Sequence, residues 1–310
     1  MPSGAASPWK LAEPDLATVF AEHEQPLEEL ATGAIPAIVL RGVFPPEACQ
    51  RLVDRLIDEQ LLYDPRGPIP EAMRDAAIPE GYYREGRNRE ASRAWQAKTA
   101  EGRTRIDIGT SLGYRGSDQQ AFFAHSEQTH ALFARLLDDS NENPIRLLYD
   151  RLSQLGRGKR AVTAHEPDGR RYGPAIIRAH YGGYTYKPHF DSVRLREKRE
   201  DYVVHQFEHQ FAGVLVLQNS QLADKTAQCI LHRRLWEPEI EPHLQRDTFH
   251  EYARQHGVEN LEVHLEPGDL YFFNTRSIHE VPGLAGESPR IVLATFIGYS
   301  RDRDEMFVWS

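Results

Sequence analysis

The segment HYGGYTYKPHFDS places His189, Phe190 and Asp191 in a row. On a β-strand successive side chains alternate between faces, so a strand here sends His189 and Asp191 to one side and Phe190 to the other. An imidazole beside a carboxylate supplies two ligands for a metal ion, and two ligands do not complete a site. Taken alone, a His-x-Asp pair also arises by chance or for structural reasons.

A second group lies far downstream, in GDLYFFNTRSIHEVPGLAGESPRIVLATFIGY. A strand signal ends near Asn274, His279 follows, and Arg290 opens the next strand after a Gly/Pro turn. Two histidines and one carboxylate on one face of an octahedral ion make the facial triad of non-haem Fe(II) oxygenases, which leaves positions open for a cosubstrate and dioxygen. An arginine on a neighbouring strand can grip a carboxylate with two parallel hydrogen bonds, which the point charge of a lysine does less specifically. A His-x-Asp pair, a distant His and an Arg at this offset are together far more specific than any one of them.

Such a group needs a β framework. From about residue 172 the chain breaks into short β-type runs, among them AIIRAHY, FAGVLVLQ, AQCILHRRLW, DLYFFN and RIVLATFIGY, with turn signals such as Glu266-Pro267-Gly268-Asp269 between them. Many short strands in succession predict a sandwich or jelly-roll barrel. A helical insertion is expected at about 237–260, where Thr248 and Glu251 have capping-box spacing and Gly257 can end the helix.

Residues 1–171 read as support for that core. A strand is expected at 37–43, followed by a helix entered at Pro45-Pro46 with Cys49, Leu52, Val53, Leu56 and Ile57 at helical spacing. Leu132, Phe133, Leu136 and Leu137 mark a second helix. Asn143-Pro144 starts a third, with Ile145, Leu148, Tyr149 and Leu152 as its stripe and Gly156 as its stop. Residues 63–104 are rich in Pro, Gly, Arg and Glu without periodicity, the character of a long surface excursion that can serve as a lid and could bring Tyr82, Tyr83 and Trp95 over a substrate. The expected class is α+β: a double-stranded β-helix (jelly-roll) core at 172–310 braced by N-terminal helices, in one integrated domain.

Composition narrows the function class. The 310 residues carry a formal charge of −9, which argues against a general nucleic-acid binder. No run approaches the length of a membrane span, and the first residues lack a basic segment followed by an apolar core, so a cytoplasmic protein is expected. Two cysteines far apart make neither a disulfide framework nor a thiolate metal site. Of the 14 histidines, His205 and His209 stand four apart, but Glu208 does not directly follow the first, so the metalloprotease helix motif is absent. They read as packing or pocket-lining groups. The charged run VRLREKRED at 193–201 reads as a solvated loop, or as one that orders over the site mouth.

Residues 172–300 resemble the Fe(II)/2-oxoglutarate-dependent dioxygenases, and within them the prolyl-4-hydroxylase-like branch. Gly183, Tyr186, Pro188, His189 and Asp191 match the first part of its pattern. Gly268, Asp269, Phe272, Phe273, His279, Glu280, Val281 and Arg290 match the second. The resemblance implies His189, Asp191 and His279 as Fe(II) ligands, Arg290 as the partner of the distal carboxylate of 2-oxoglutarate, and Tyr186 as a hydroxyl contact to it. Val292 stands where some relatives carry a serine, which gives Tyr186 more weight. Asp191 stands where iron halogenases carry Ala or Gly to admit chloride, which disfavours halogenation.

The implied reaction consumes dioxygen and 2-oxoglutarate, releases succinate and CO2, and oxidises an unactivated C–H bond of a small molecule such as an amino acid or a secondary metabolite. Hydroxylation is the first expectation, with desaturation, cyclisation and epoxidation open to the same cofactors. The alternatives are a peptidyl hydroxylase and, outside enzymes, a jelly-roll binding or sensing protein.

Overall fold

The apolar runs of the second half fold as strands of two stacked sheets, a jelly roll flanked by helices. In this computed structural model the described residues are 9–70, 105–114, 118–137 and 142–310, with position 73 and the backbone of 98–99 and 102–103. Most of the 63–104 excursion, including Tyr82, Tyr83 and Trp95, lies outside them.

Two long strands, β6 (His209–Gln218) and β11 (Arg290–Tyr299), pair antiparallel along their whole length at the centre of an eight-stranded main sheet. Outward from β6 come β9 (Leu270–Asn274) and β1 (Ala37–Leu40). The other edge of β11 is shared. Its first half pairs with β4 (Ile176–His180), which carries β2 (Arg105–Ile108), and its second half with β12 (Glu305–Trp309), which carries β3 (Arg160–Thr163) in parallel. Thus β1, β2 and β3, all from the first 171 residues, belong to the main sheet. The facing sheet runs β8 (Asn260–Val263), β7 (Cys229–Leu235), β10 (Ser277–Val281), β5 (Tyr186–His189).

Strand alternation decides which side chains face which layer. In β6 and β9, Phe211, Leu215, Leu217, Leu270 and Phe272 turn to the helices, while Ala212, Val214, Val216, Tyr271 and Phe273 turn toward the facing sheet. The helical layer includes α1 (Leu16–Glu22), α2 (Pro26–Thr32), α3 (Pro46–Asp58), α4 (Gln119–Leu137) and α5 (Pro144–Leu155). Helix α3 buries Cys49, Leu52, Val53 and Leu56 as its spacing predicts. The Asn143 side chain caps α5, its Oδ1 accepting from the N–H groups of Ile145 and Arg146 at 3.0 Å each. Helix α4 begins well ahead of its apolar stripe, because Phe122 and Phe123 pack edge-on against Tyr172 and extend the buried face. Among the described residues, no helix is long and apolar enough to cross a membrane.

Two local expectations are resolved by contacts. The insertion forms α6 (Glu241–Gln245) and α7 (Phe249–Gln255), but Thr248 makes no side-chain cap. Its hydroxyl lies 3.2 Å from His243 Nδ1 instead, so the capping box is not formed. The Gly268-Asp269 pair is a structural latch. Gly268 has φ +97° and an added Cβ would lie 2.2 Å from Phe44 O, while Asp269 accepts from Gly42 N and Arg41 Nη1 at 2.8 Å each.

Candidate active site

Strands β5 and β10 pair in a register that sets His189 directly opposite His279. Each ring donates its Nδ1–H to the backbone carbonyl two residues earlier, His189 to Lys187 O at 2.6 Å and His279 to Ser277 O at 2.8 Å. That bond fixes the ring and its tautomer and leaves the Nε2 lone pair pointing away from the backbone. Both Nε2 atoms face one oxygen, Asp191 Oδ2, at 3.8 Å and 3.6 Å. The three donors therefore surround a common point, and the side chains of His189 and Asp191, 13% and 29% exposed, leave it open on one side.

Asp191 reaches that point from just beyond the strand, which ends at His189. Phe190 turns the other way and stacks on Trp236, ring centroids 4.4 Å apart. The turn after β9 holds the Asp191 backbone: its N–H donates to Thr275 O at 2.9 Å, and the Thr275 hydroxyl donates to Asp191 O at 2.8 Å. The second carboxylate oxygen, Oδ1, accepts from Arg196 Nη1 at 3.2 Å, and the same nitrogen donates to Phe190 O at 2.7 Å. Arg196 comes from a π-type turn, Val193–Glu197, capped by Ser192.

Electrostatics suits a ligand set. Burial, followed by the neighbouring His279, lowers His189 to about 3, so its ring is neutral at ordinary pH. Burial alone would raise the Asp191 carboxyl, but His279, His189 and Arg196 outweigh it and hold the group well below the usual carboxylate range. One carboxylate and two imidazoles are a donor set for a divalent ion.

The cavity runs from this point to a cationic end on the main sheet. Arg105, His180 and Arg290 stand side by side on β2, β4 and β11 because they are register partners. Arg178, one step along, is opposite Asp107 and Val292. Arg105 and Asp107 form a buried bidentate pair at 3.0 Å and 2.7 Å. Arg290 is 5% exposed, lines the cavity, and keeps its buried Nε without a hydrogen-bond partner among the described residues. Burial and then the charges of Arg290, Arg105 and Arg178 keep His180 neutral, its pKa well below the ordinary value. The Tyr186 hydroxyl lies 3.0 Å from His180 Nε2. Between the two ends the wall is apolar: Ala212, Val214, Phe273, Val281, Val292 and Ala294.

The structure thus gathers all five residues singled out from the sequence, His189, Asp191, His279, Arg290 and Tyr186, around one cavity. His205 and His209 do not line it, and His209 packs near Tyr299. Several site residues escaped the sequence reading. The alternation Arg105-Ile106-Asp107-Ile108 carried the signal for β2, with the isoleucines buried in the helix-side core and the charged pair turned inward. Nothing in the charged run 193–201 distinguished Arg196, which touches Asp191, from its neighbours. Glu197 in the same run is largely buried, and burial pushes its carboxyl up to about 7, so this segment is not simply a solvated loop.

Comparison with known proteins now bears on this geometry. The family model described as "Carrier-protein-independent halogenase WelO5" matches residues 79–310, about three quarters of the chain. The chain belongs to this family. It is thereby a non-haem iron, 2-oxoglutarate-dependent oxygenase. A search of curated proteins finds no match.

Among solved structures, an N-substituted L-amino acid dioxygenase from Burkholderia ambifaria AMMD is 15% identical, with a TM-score of 0.52 over 92% of this chain and 90% of that one. This likeness is one of fold. The same enzyme in complex with alpha-KG gives 16% identity and a TM-score of 0.49 over the same shares. A Pseudomonas putida prolyl-4-hydroxylase gives 13% identity and a TM-score of 0.36 over 86% of this chain and 94% of that one.

Proposed function

We propose that this protein hydroxylates an unactivated C–H bond of a small molecule, of the amino acid or secondary metabolite class, using Fe(II), 2-oxoglutarate and dioxygen. The observation that carries the reading is the Asp191 carboxylate, whose Oδ2 lies 3.6 Å and 3.8 Å from the Nε2 atoms of His279 and His189. The donor set fits iron, since two imidazoles and one carboxylate occupy one face and leave the other for cosubstrate and dioxygen.

His189, Asp191 and His279 would hold the ion, with Arg196 and Thr275 fixing the orientation of Asp191. Arg290, a buried cation with an unpartnered Nε, would take the distal carboxylate of 2-oxoglutarate, with Tyr186 bracing the same end through His180. The apolar wall around Val214, Phe273 and Val292 would exclude water from the reacting region. When bound, iron and 2-oxoglutarate supply the oxidising power, through decarboxylation to succinate and CO2. The protein's part is to bind, orient and keep the site dry.

The family match to a halogenase supports a second reading, in which a halide rather than oxygen is transferred to the substrate carbon. Asp191 speaks against it, because its carboxylate fills the position a halide would need.

Purified protein supplied with Fe(II), 2-oxoglutarate, chloride and candidate substrates tests both readings. Succinate release with a product heavier by one oxygen is expected for free metabolites and not for proline-containing peptides, and His279→Ala should abolish it. A chlorinated product would establish the halogenase reading. Absence of 2-oxoglutarate turnover with every candidate, or activity that survives His279→Ala, would defeat the assignment.

A further inference from the structure

Strand alternation sends Glu280 to the face of β10 opposite His279, away from the cavity. There it meets His232 of β7 and His250 of α7. His232 Nε2 lies 2.9 Å from Glu280 Oε1, and His250 Nε2 lies 3.3 Å from Glu280 Oε2. One ligand atom from each residue falls within 4.8 Å of the others. The side chains of His232 and Glu280 are 3% and 8% exposed, whereas His250 is 56% exposed and forms the open side.

Two features separate this cluster from an ordinary hydrogen-bonded contact. First, among the described residues the three groups make polar contacts only with one another, so none is committed to holding backbone. Second, Glu280 is a buried carboxylate that, among the described residues, has no lysine or arginine paired to it and faces two imidazoles instead.

We propose that His232, His250 and Glu280 form a second metal site, taking a divalent ion of the zinc class. Two imidazoles, one carboxylate and a position open to solvent are a zinc donor set. The ion supplies a divalent counter-charge to Glu280 and ties α7 to the sheet. Because Glu280 follows His279, it also braces β10 from behind the cavity.

Calorimetric titration of untagged, metal-free protein with Zn2+ tests this. Wild type should take up two equivalents. His250→Ala, a change at a largely exposed position, should take up one, and the isosteric Glu280→Gln should do the same, each weakening the lost equivalent by about 100-fold or more. His279→Ala should keep the outer equivalent, and His250→Ala combined with His279→Ala should bind none. A single equivalent in wild type would overturn the proposal. So would two equivalents persisting in both His250→Ala and Glu280→Gln, which would mark adventitious binding elsewhere.

Discussion

At one end of the cavity, His189, Asp191 and His279 meet because a strand pair, the turn after β9 and the π-type turn at 193–197 come together. At the other end, Arg105, His180 and Arg290 stand in line because three strands pair in register. The first end depends on side chains and turns whose positions are set one contact at a time. The second is fixed by a ladder of backbone hydrogen bonds that no single side chain controls. Single substitutions at the cationic end should therefore change what is bound there and leave the frame alone, whereas substitutions around Asp191 should change geometry.

The largest effect is expected at the cationic end. Arg290→Met removes a buried, charge-assisted partner and should raise the KM for 2-oxoglutarate by about 10- to 100-fold. Iron content measured on the same protein should be unchanged. Parallel loss of iron would show that the two ends are coupled.

The end formed by His189, Asp191 and His279 carries a pH signature. His189 has a folded pKa of about 3 against an ordinary 6.5, so between these values the unfolded chain binds a proton that the folded chain does not. Stability of the metal-free protein should then fall as pH drops below 6.5, with this group contributing about 2 kcal/mol by pH 5. His180 acts in the same direction. Urea midpoints at about pH 7.5 and about pH 5 should show the loss, and His189→Asn should reduce the difference. An unchanged difference in that variant would remove His189 as the source.

A smaller effect tests how Asp191 is held. Arg196→Met frees Oδ1, and the affinity for Fe(II) should fall by about tenfold, the low end for losing a supporting partner of a ligand. Arg196→Lys should recover part of it, and affinity for 2-oxoglutarate measured apart from turnover should hold. Equal metal affinity in wild type and Arg196→Met would mean that Thr275 and the turn position Asp191 unaided. The smallest effect lies in the helical support: Asn143→Ala should lower stability by about 1 kcal/mol in a denaturant titration, with kcat/KM unaltered.

Much of this architecture was legible as text, and the reasons differ by residue. His189 and His279 could be placed because strand periodicity and residue type carry the information locally, and α3 and α5 because their apolar stripes and the Asn143-Pro144 start are local signals. Strand β2 was missed because four residues with two charges resemble a surface segment until a partner strand is known. The Thr248 capping box failed because a competing partner, His243, stands close to its hydroxyl in space.

What the sequence determined by itself was the set of candidate donors, the β-type core and the family resemblance, since each rests on residue types at fixed spacing along one or two strands. Only the tertiary structure decided that Arg196 grips Asp191, that Arg105 and His180 flank Arg290, and that Glu280 meets His232 and His250 on the far face of β10. These contacts join segments tens of residues apart, and no local periodicity encodes them. Register between strands and the packing of turns against them bring such groups within hydrogen-bonding reach.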